Sequence, residues 1–218
     1  MSMEEAFNAD DPRGVLHMPE QANGNALALT HGAGSDSNTP LLSSLARAFC
    51  DAGLLVLRYD LPFRVLGGTP TSPAGQARDR EGIARAVQSL RGKVKGHVFA
   101  GGHSYGGRQT AMIAAERPGL ADGLLLLSYP LHPPRKPDQL RTGFFPEWRT
   151  PALFVHGTRD PFGSVAELQA ALKLIPGRTQ LLPVEGAGHD LGFKGKLRRE
   201  SLPGEIVKAL NAFFNLSS

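Results

Sequence analysis

Three short stretches of this chain carry side chains able to act together on a carbonyl. The first is "GGHSYGGR", Gly101 to Arg108, in which Gly102 and Gly106 flank Ser104 at two positions either side. A lone G-x-S-x-G is a weak signal, but its setting strengthens it. The apolar run "HVFAGG" leads into it, and "GGRQTAMIAAERPG" follows as an alanine-rich helix stopped at Pro118. A nucleophile in a tight strand-to-helix turn has a strained backbone, so its neighbours two positions away must lack side chains. A serine hydroxyl is a poor nucleophile near neutral pH and needs a base. The second stretch, "EGAGHDLG", offers His189 as that base, and the third, "HGTRDPFG", offers Asp160 to orient it. Taken singly, His189 reads equally well as a surface-loop histidine, and Asp160 as a turn or capping aspartate. Each follows an apolar run, and the order Ser, acid, His is the one this turn expects. Asp190 is set aside, because adjacent side chains in an extended loop point apart. The chemistry would be acyl transfer: Ser104 attacks, His189 shuttles the proton, and water releases the acyl group. The developing oxyanion needs two donors. The amide of Ala33 or Gly34 in "THGAGSDSN", with that of Tyr105, would supply them.

The elements that must position these groups are six apolar runs. They are "ALALT" (26–30), "LLVLRY" (54–59), "HVFAGG" (97–102), "GLLLLSY" (123–129), "ALFVH" (152–156) and "TQLLPV" (179–184). Most are continuously apolar, as in strands covered on both faces, and "GVLH" near Val15 reads as an antiparallel edge strand. Helical patterns separate the runs. Thr39, Pro40 and Gly53 punctuate one, with Leu42, Leu45 and Phe49 on a single face. Ile83, Val87 and Leu90 face inward on a second. Ser164 and Glu167 form a capping box on a third. A fourth, near Pro203 to Phe214, turns Ile206, Leu210 and Phe213 inward. Strands alternating with helices imply a mostly parallel α/β sheet with helices on both faces, whose ligands bind outside the carboxyl ends of the strands.

Composition narrows the function classes. The 218 residues, 41% hydrophobic and 20% charged, suit one globular domain over residues 1–218. Cys50 is the one cysteine, so an internal disulfide is excluded, and a reducing, cytoplasmic setting is expected. The start lacks the order of a secretory signal, and no apolar run approaches the roughly 18 residues of a membrane span. A net charge of +4 is mild, and "KGKLRR" (194–199) reads as a solvated surface rather than a nucleic-acid contact. No zinc-ligand spacing, phosphate-binding loop or dinucleotide glycine pattern occurs, so neither metal nor cofactor is expected.

With "HGAG", "GHSYG", "GTRDP" and "GAGHD" in this order, the chain resembles the α/β-hydrolase superfamily from about Val15 to Phe214. "LPFR", "GGHSYGGR" and "YPLHPP" are similar to a small dienelactone-hydrolase-like bacterial subgroup. That subgroup is related to a subunit of a histone-acetyltransferase (non-specific lethal) complex. The resemblance implies an eight-stranded core sheet, a Ser104–His189–Asp160 triad and no cofactor. Dienelactone hydrolases proper use cysteine where this chain has Ser104, which argues against a dienelactone substrate. The link from Tyr129 to Thr150 is too short for a cap domain. Its Phe144, Phe145 and Trp148 are read as core beneath the loop before acyl-pocket walls. His132, Arg64 and Arg108 are candidate contacts for a polar or anionic substrate group, with structural ion pairs as the competing use. The expected function is hydrolysis of a small ester or thioester by a monomer or homodimer. The alternatives are a peptidase or amidase, or a non-catalytic scaffold of the same fold.

Overall fold

The structure is a computed structural model of the chain and describes residues 3–8, 12–69, 72–193 and 200–216. The basic run 194–199 lies outside the described residues. The apolar runs become strands because each has both faces to cover. These are β3 (Ala26–Thr30), β4 (Leu55–Tyr59), β5 (Val98–His103), β6 (Gly123–Leu127) and β7 (Ala152–Gly157). Successive side chains of a strand point to opposite faces. Ala26, Ala28, Leu57, Leu124, Leu126 and Phe154 therefore enter one core layer. Leu27, Leu29, Val56, Leu125, Leu127, Leu153 and Val155 enter the other.

Helices α3 (Pro73–Arg91), α4 (Tyr105–Glu116) and α5 (Val165–Leu172) cover the first layer. Helices α1 (Pro40–Asp51) and α6 (Leu202–Phe214) cover the second. Local signals start several of them. The Thr39 hydroxyl accepts from the Leu42 N–H with Pro40 at the first helical position, and Ser164 and Glu167 make the reciprocal capping box of α5.

With β1 (Met3–Asn8), β2 (Arg13–Met18) and β8 (Thr179–Val184), the sheet has eight strands in the order β1-β2-β4-β3-β5-β6-β7-β8. Strands β3 to β8 run parallel; β1 and β2 are antiparallel to their neighbours. The Val15 run is antiparallel as expected, but it is not the edge. β1 lies outside it, pairing Met3 with Met18 and Asn8 with Arg13. Its residues 3–6 are exposed and only Phe7 packs toward the core, so no hydrophobic period announces it, and its glutamates blunt the open edge. The opposite edge, β8, carries Pro183, which a central strand would not tolerate.

One turn of helix, α2 (Pro62–Val65), was not expected. The 130–150 link forms no cap. Phe145 and Trp148 are fully buried, and Phe144 packs with them around Tyr129 and Phe154.

The carboxyl end of β4 meets a buried charged cluster. Arg58 Nε donates to His17 Nε2 (2.8 Å), and its Nη1 donates to the Ser37 carbonyl (3.1 Å) and Asn38 Oδ1 (2.6 Å). His17 must therefore be neutral. Burial pushes its pKa down, Glu4 opposes this, and Arg58 adds to it. Burial pushes His31 down as well. Below about pH 6.5 the unfolded chain binds protons at these imidazoles that the folded chain refuses, so stability falls as pH drops through that value. The urea midpoint should decrease between pH 7.5 and 5.5. A His17→Gln variant should start lower and decline less.

Candidate active site

Ser104 stands between β5 and α4 with φ 52° and ψ −116°, a left-handed conformation uncommon for a residue with a side chain. The turn closes only because its flanks are bare. A Cβ on Gly102 would lie 2.8 Å from the Gly106 carbonyl carbon and the Gly107 nitrogen. One on Gly106 would meet the His31 carbonyl oxygen and lie 2.7 Å from Thr30 Cγ2. The Ser104 N–H is taken by the Leu127 carbonyl (2.8 Å), which leaves the hydroxyl raised above the sheet edge.

The loops after β7 and β8 are zipped together above the same edge. Arg159 N–H donates to the Ala187 carbonyl (2.9 Å), Thr158 N–H to Val184 (3.1 Å), and Gly186 N–H to Thr158 Oγ1 (2.8 Å). Gly157 permits the approach, since a Cβ there would strike the Ala187 and Gly188 carbonyls. Asp160 and His189 are thereby brought together. His189 Nδ1–H donates to Asp160 Oδ2 (2.8 Å), and His189 Nε2 accepts the Ser104 hydroxyl (2.7 Å). The Asp160 side chain is wholly buried, and its Oδ1 accepts the Phe162 N–H (2.9 Å). Phe162 and His103 flank the His189 ring at 4.3 and 5.1 Å between centroids. His103 Nε2–H also holds the His189 carbonyl (2.8 Å). Asp190, which also borders the cleft, is held differently: its Oδ1 accepts the Gly192 N–H (3.1 Å).

The loop after β3 passes directly beside the serine, with the Cβ position of Gly32 only 3.5 Å from Ser104 Cβ. The Ser35 N–H closes a turn onto the Gly32 carbonyl (3.2 Å), so Ala33 and Gly34 occupy its tip. Tyr105 is the first residue of α4, where an N–H has no intrahelical acceptor. Ala33, Gly34 and Ser104 line one cleft of about 300 Å³. Its apolar walls are Pro40, Leu41, Phe162 and Phe193. The arrangement suits attack by the Ser104 hydroxyl on a carbonyl.

The three other candidates do not line this cleft. Arg64 is turned onto the backbone, its Nε donating to the Ser35 carbonyl (2.9 Å) and its Nη2 to Ala33 (3.1 Å). His132 is buried against the Pro133 carbonyl (2.8 Å), with Glu167 3.7 Å from Nε2. Arg108 lies one turn along α4, its charge near Tyr129 and Arg141. Sequence reasoning missed the cleft walls Leu41 and Phe193, and it missed Asp79. That carboxylate is fully buried on the apolar face of α3, accepting from Phe63 N–H (3.0 Å) and Tyr105 Oη (2.6 Å). An acid in the stripe of Ile83, Val87 and Leu90 was the available signal.

A strained serine at a strand-to-helix turn, with loops from two later parallel strands closing over it, defines the hydrolase arrangement of an α/β sheet. The sequence matches the family described as "Alpha/beta hydrolase domain" over residues 23–214, and the chain belongs to it. Among solved structures, its fold is similar to a dienelactone hydrolase from Anabaena variabilis (TM-score 0.74, 21% identity, covering 98% of this chain and 97% of that one). It is similar to Est1E from Butyrivibrio proteoclasticus (TM-score 0.71, 16% identity, 98% and 99% covered). It is similar also to XC6422 from Xanthomonas campestris, described as a serine hydrolase without lid (TM-score 0.66, 16% identity, 98% and 94% covered).

The closeness of the turn makes a direct prediction. Gly106→Ala must push apart the His31 carbonyl and Thr30, at a cost of about 1–3 kcal/mol. Its thermal midpoint should fall, and any hydrolysis should be lost with it, as read by a melting curve and an ester assay on the same sample.

Proposed function

We propose that this protein is a serine hydrolase that cleaves small esters or thioesters through an acyl-enzyme. The observation that carries the reading is the unbroken hydrogen-bonded relay from buried Asp160 through His189 to Ser104, at 2.8 and 2.7 Å. Ser104 Oγ attacks the substrate carbonyl while His189 Nε2 takes its proton, and Asp160 stabilises the imidazolium that forms. The carbonyl oxygen, now negative, is received by the Tyr105 N–H and by Ala33 or Gly34 N–H. His189 returns the proton to the leaving group. The same base then activates water to cleave the acyl–Ser104 bond.

Fluorophosphonate labelling with mass spectrometry tests this without knowledge of the substrate. Ser104 should be the one labelled serine, and Ser104→Ala should abolish the signal. Asp160→Asn should lower turnover by about 10⁴-fold, by analogy with other triads, while Asp190→Asn should leave it within a few-fold. Absence of both labelling and ester turnover would favour the scaffold alternative.

The cleft supports a short acyl group. Pro40, Leu41 and Phe193 give it apolar walls, and among the described residues no cap stands over Ser104 to enclose a longer chain. Each additional buried methylene would contribute about 0.8 kcal/mol only where a wall exists to receive it. Specificity constants across p-nitrophenyl esters should peak between acetate and butyrate, and Leu41→Ala should move the peak to longer chains. A wild-type series that climbs steadily through decanoate would overturn the assignment.

A further inference from the structure

We propose that Asp79 and Arg64, joined by the 61–64 turn, form a brace that sets the spacing of the two oxyanion donors. Both are positioning residues, and the inference rests on the serine-hydrolase reading above. The turn sits between the two segments that supply the donors and is tied to each. Toward the Ala33–Gly34 loop, Leu61 N–H donates to His31 Nε2 (3.0 Å), and His31 Nδ1–H donates to the Gly32 carbonyl (2.8 Å). Arg64 then clamps the Ala33 and Ser35 carbonyls (3.1 and 2.9 Å), on either side of Gly34. Toward the nucleophile turn, Asp79 accepts the Phe63 N–H (3.0 Å) through one oxygen and the Tyr105 hydroxyl (2.6 Å) through the other. The Phe63 ring wedges edge-on between His31 (5.5 Å) and Tyr105 (5.7 Å). The two halves of the oxyanion site therefore touch a common body.

The packing of α3 does not by itself explain Asp79. A buried carboxylate is costly unless satisfied, and an apolar residue would continue the stripe of Ile83, Val87 and Leu90 without that cost. Burial pushes the pKa of Asp79 up, against the hydrogen bonds from Tyr105 and Phe63. The partners that hold it belong to the turn and to the residue after the nucleophile. Gly82, on the same helix, lets Pro62 come within 2.7 Å of where a Cβ would sit, so the turn seats closely on α3. Arg64 likewise spends its guanidinium on carbonyls of the loop. A hydrogen bond to an oxyanion depends steeply on distance, and loss of one whole donor elsewhere costs 10²–10³ in turnover. Displacing a donor should cost less than deleting it.

The test uses the full chain with Tyr105→Phe, Asp79→Asn, Asp79→Ala and Arg64→Met. Each is assayed on a short p-nitrophenyl ester and for inhibition by an aryl trifluoromethyl ketone. The ketone forms a reversible hemiketal. The Ser104 Oγ–carbon bond forms, the carbonyl π electrons become the oxyanion, and the serine proton passes to His189. Expected are a fall in kcat of about 10–100-fold, KM within about threefold, and a Ki for the ketone that rises by the same factor as kcat/KM falls. Asp79→Asn, which keeps one acceptor, should lie between wild type and Asp79→Ala. If Asp79→Ala does not fold, Tyr105→Phe and Arg64→Met decide, because each keeps its packing and loses only a polar tether. Unchanged kcat and Ki in both, with a competent wild type, would overturn the brace. Wild type that neither turns over esters nor binds the ketone would overturn the hydrolase reading instead.

Discussion

Ser104 sits in a backbone conformation that a residue with a side chain seldom adopts, and the rest of the structure is arranged around keeping it there. The constraint is contact between β5 and α4 at van der Waals limits, possible because Gly102, Gly106 and Gly107 put nothing in the way. Two layers of apolar side chains hold strand and helix in that contact. Leu124 and Leu126 lie beneath, and Ala111, Ile113 and Ala114 press from the helix. The local strain is small beside the burial of these chains. The core thus keeps the hydroxyl raised where the loops can reach it.

Those loops are ordered by polar contacts more than by packing, and the polar groups are unusually well enclosed. Around the β3–α1 loop, Arg58, Asp60, His31 and Arg64 contact the backbone or side chains of residues 32–38 or flank it directly. Asp60 Oδ1 accepts the Ser37 N–H at 2.8 Å, while Arg58 takes the Ser37 carbonyl. A loop proposed to carry oxyanion donors would gain from being fixed before substrate arrives, because donors already in place cost no reorganisation during reaction. The β7 and β8 loops reach the same end by pairing backbone with backbone, through Thr158, Arg159, Gly186 and Ala187. Three loops of irregular shape are in this way tied down by hydrogen bonds.

Among the described residues, the stretch between β6 and β7 builds no cap over Ser104. Of the 130–150 link, Phe145 and Trp148 fill the core, and Arg141 and Tyr129 tie the link to itself. The cleft walls come from elsewhere, from the start of α1 and from the stretch after His189. Access to Ser104 is therefore shaped by elements that also form the sheet's covering layers.

The sequence by itself determined what depends on neighbours along the chain. Continuous apolar runs marked β3 to β7 because strands buried on both faces need no alternation. Thr39–Pro40 and Ser164–Glu167 marked helix starts because caps act within one turn. Ser104, Asp160 and His189 could be singled out because each follows such a run, and parallel strands deliver their following loops to one edge. Tertiary structure alone decided what depends on pairing through space. It placed polar β1 outside β2 by backbone bonds that leave no period. It turned Arg64 toward carbonyls 29 and 31 residues away rather than toward the cleft. It also joined Asp79 to Tyr105 across 26 residues and brought Phe193 and Leu41 to one cleft. Local propensity is written in adjacent residues, whereas the partner of a buried charge is fixed only when the layers close and water is removed.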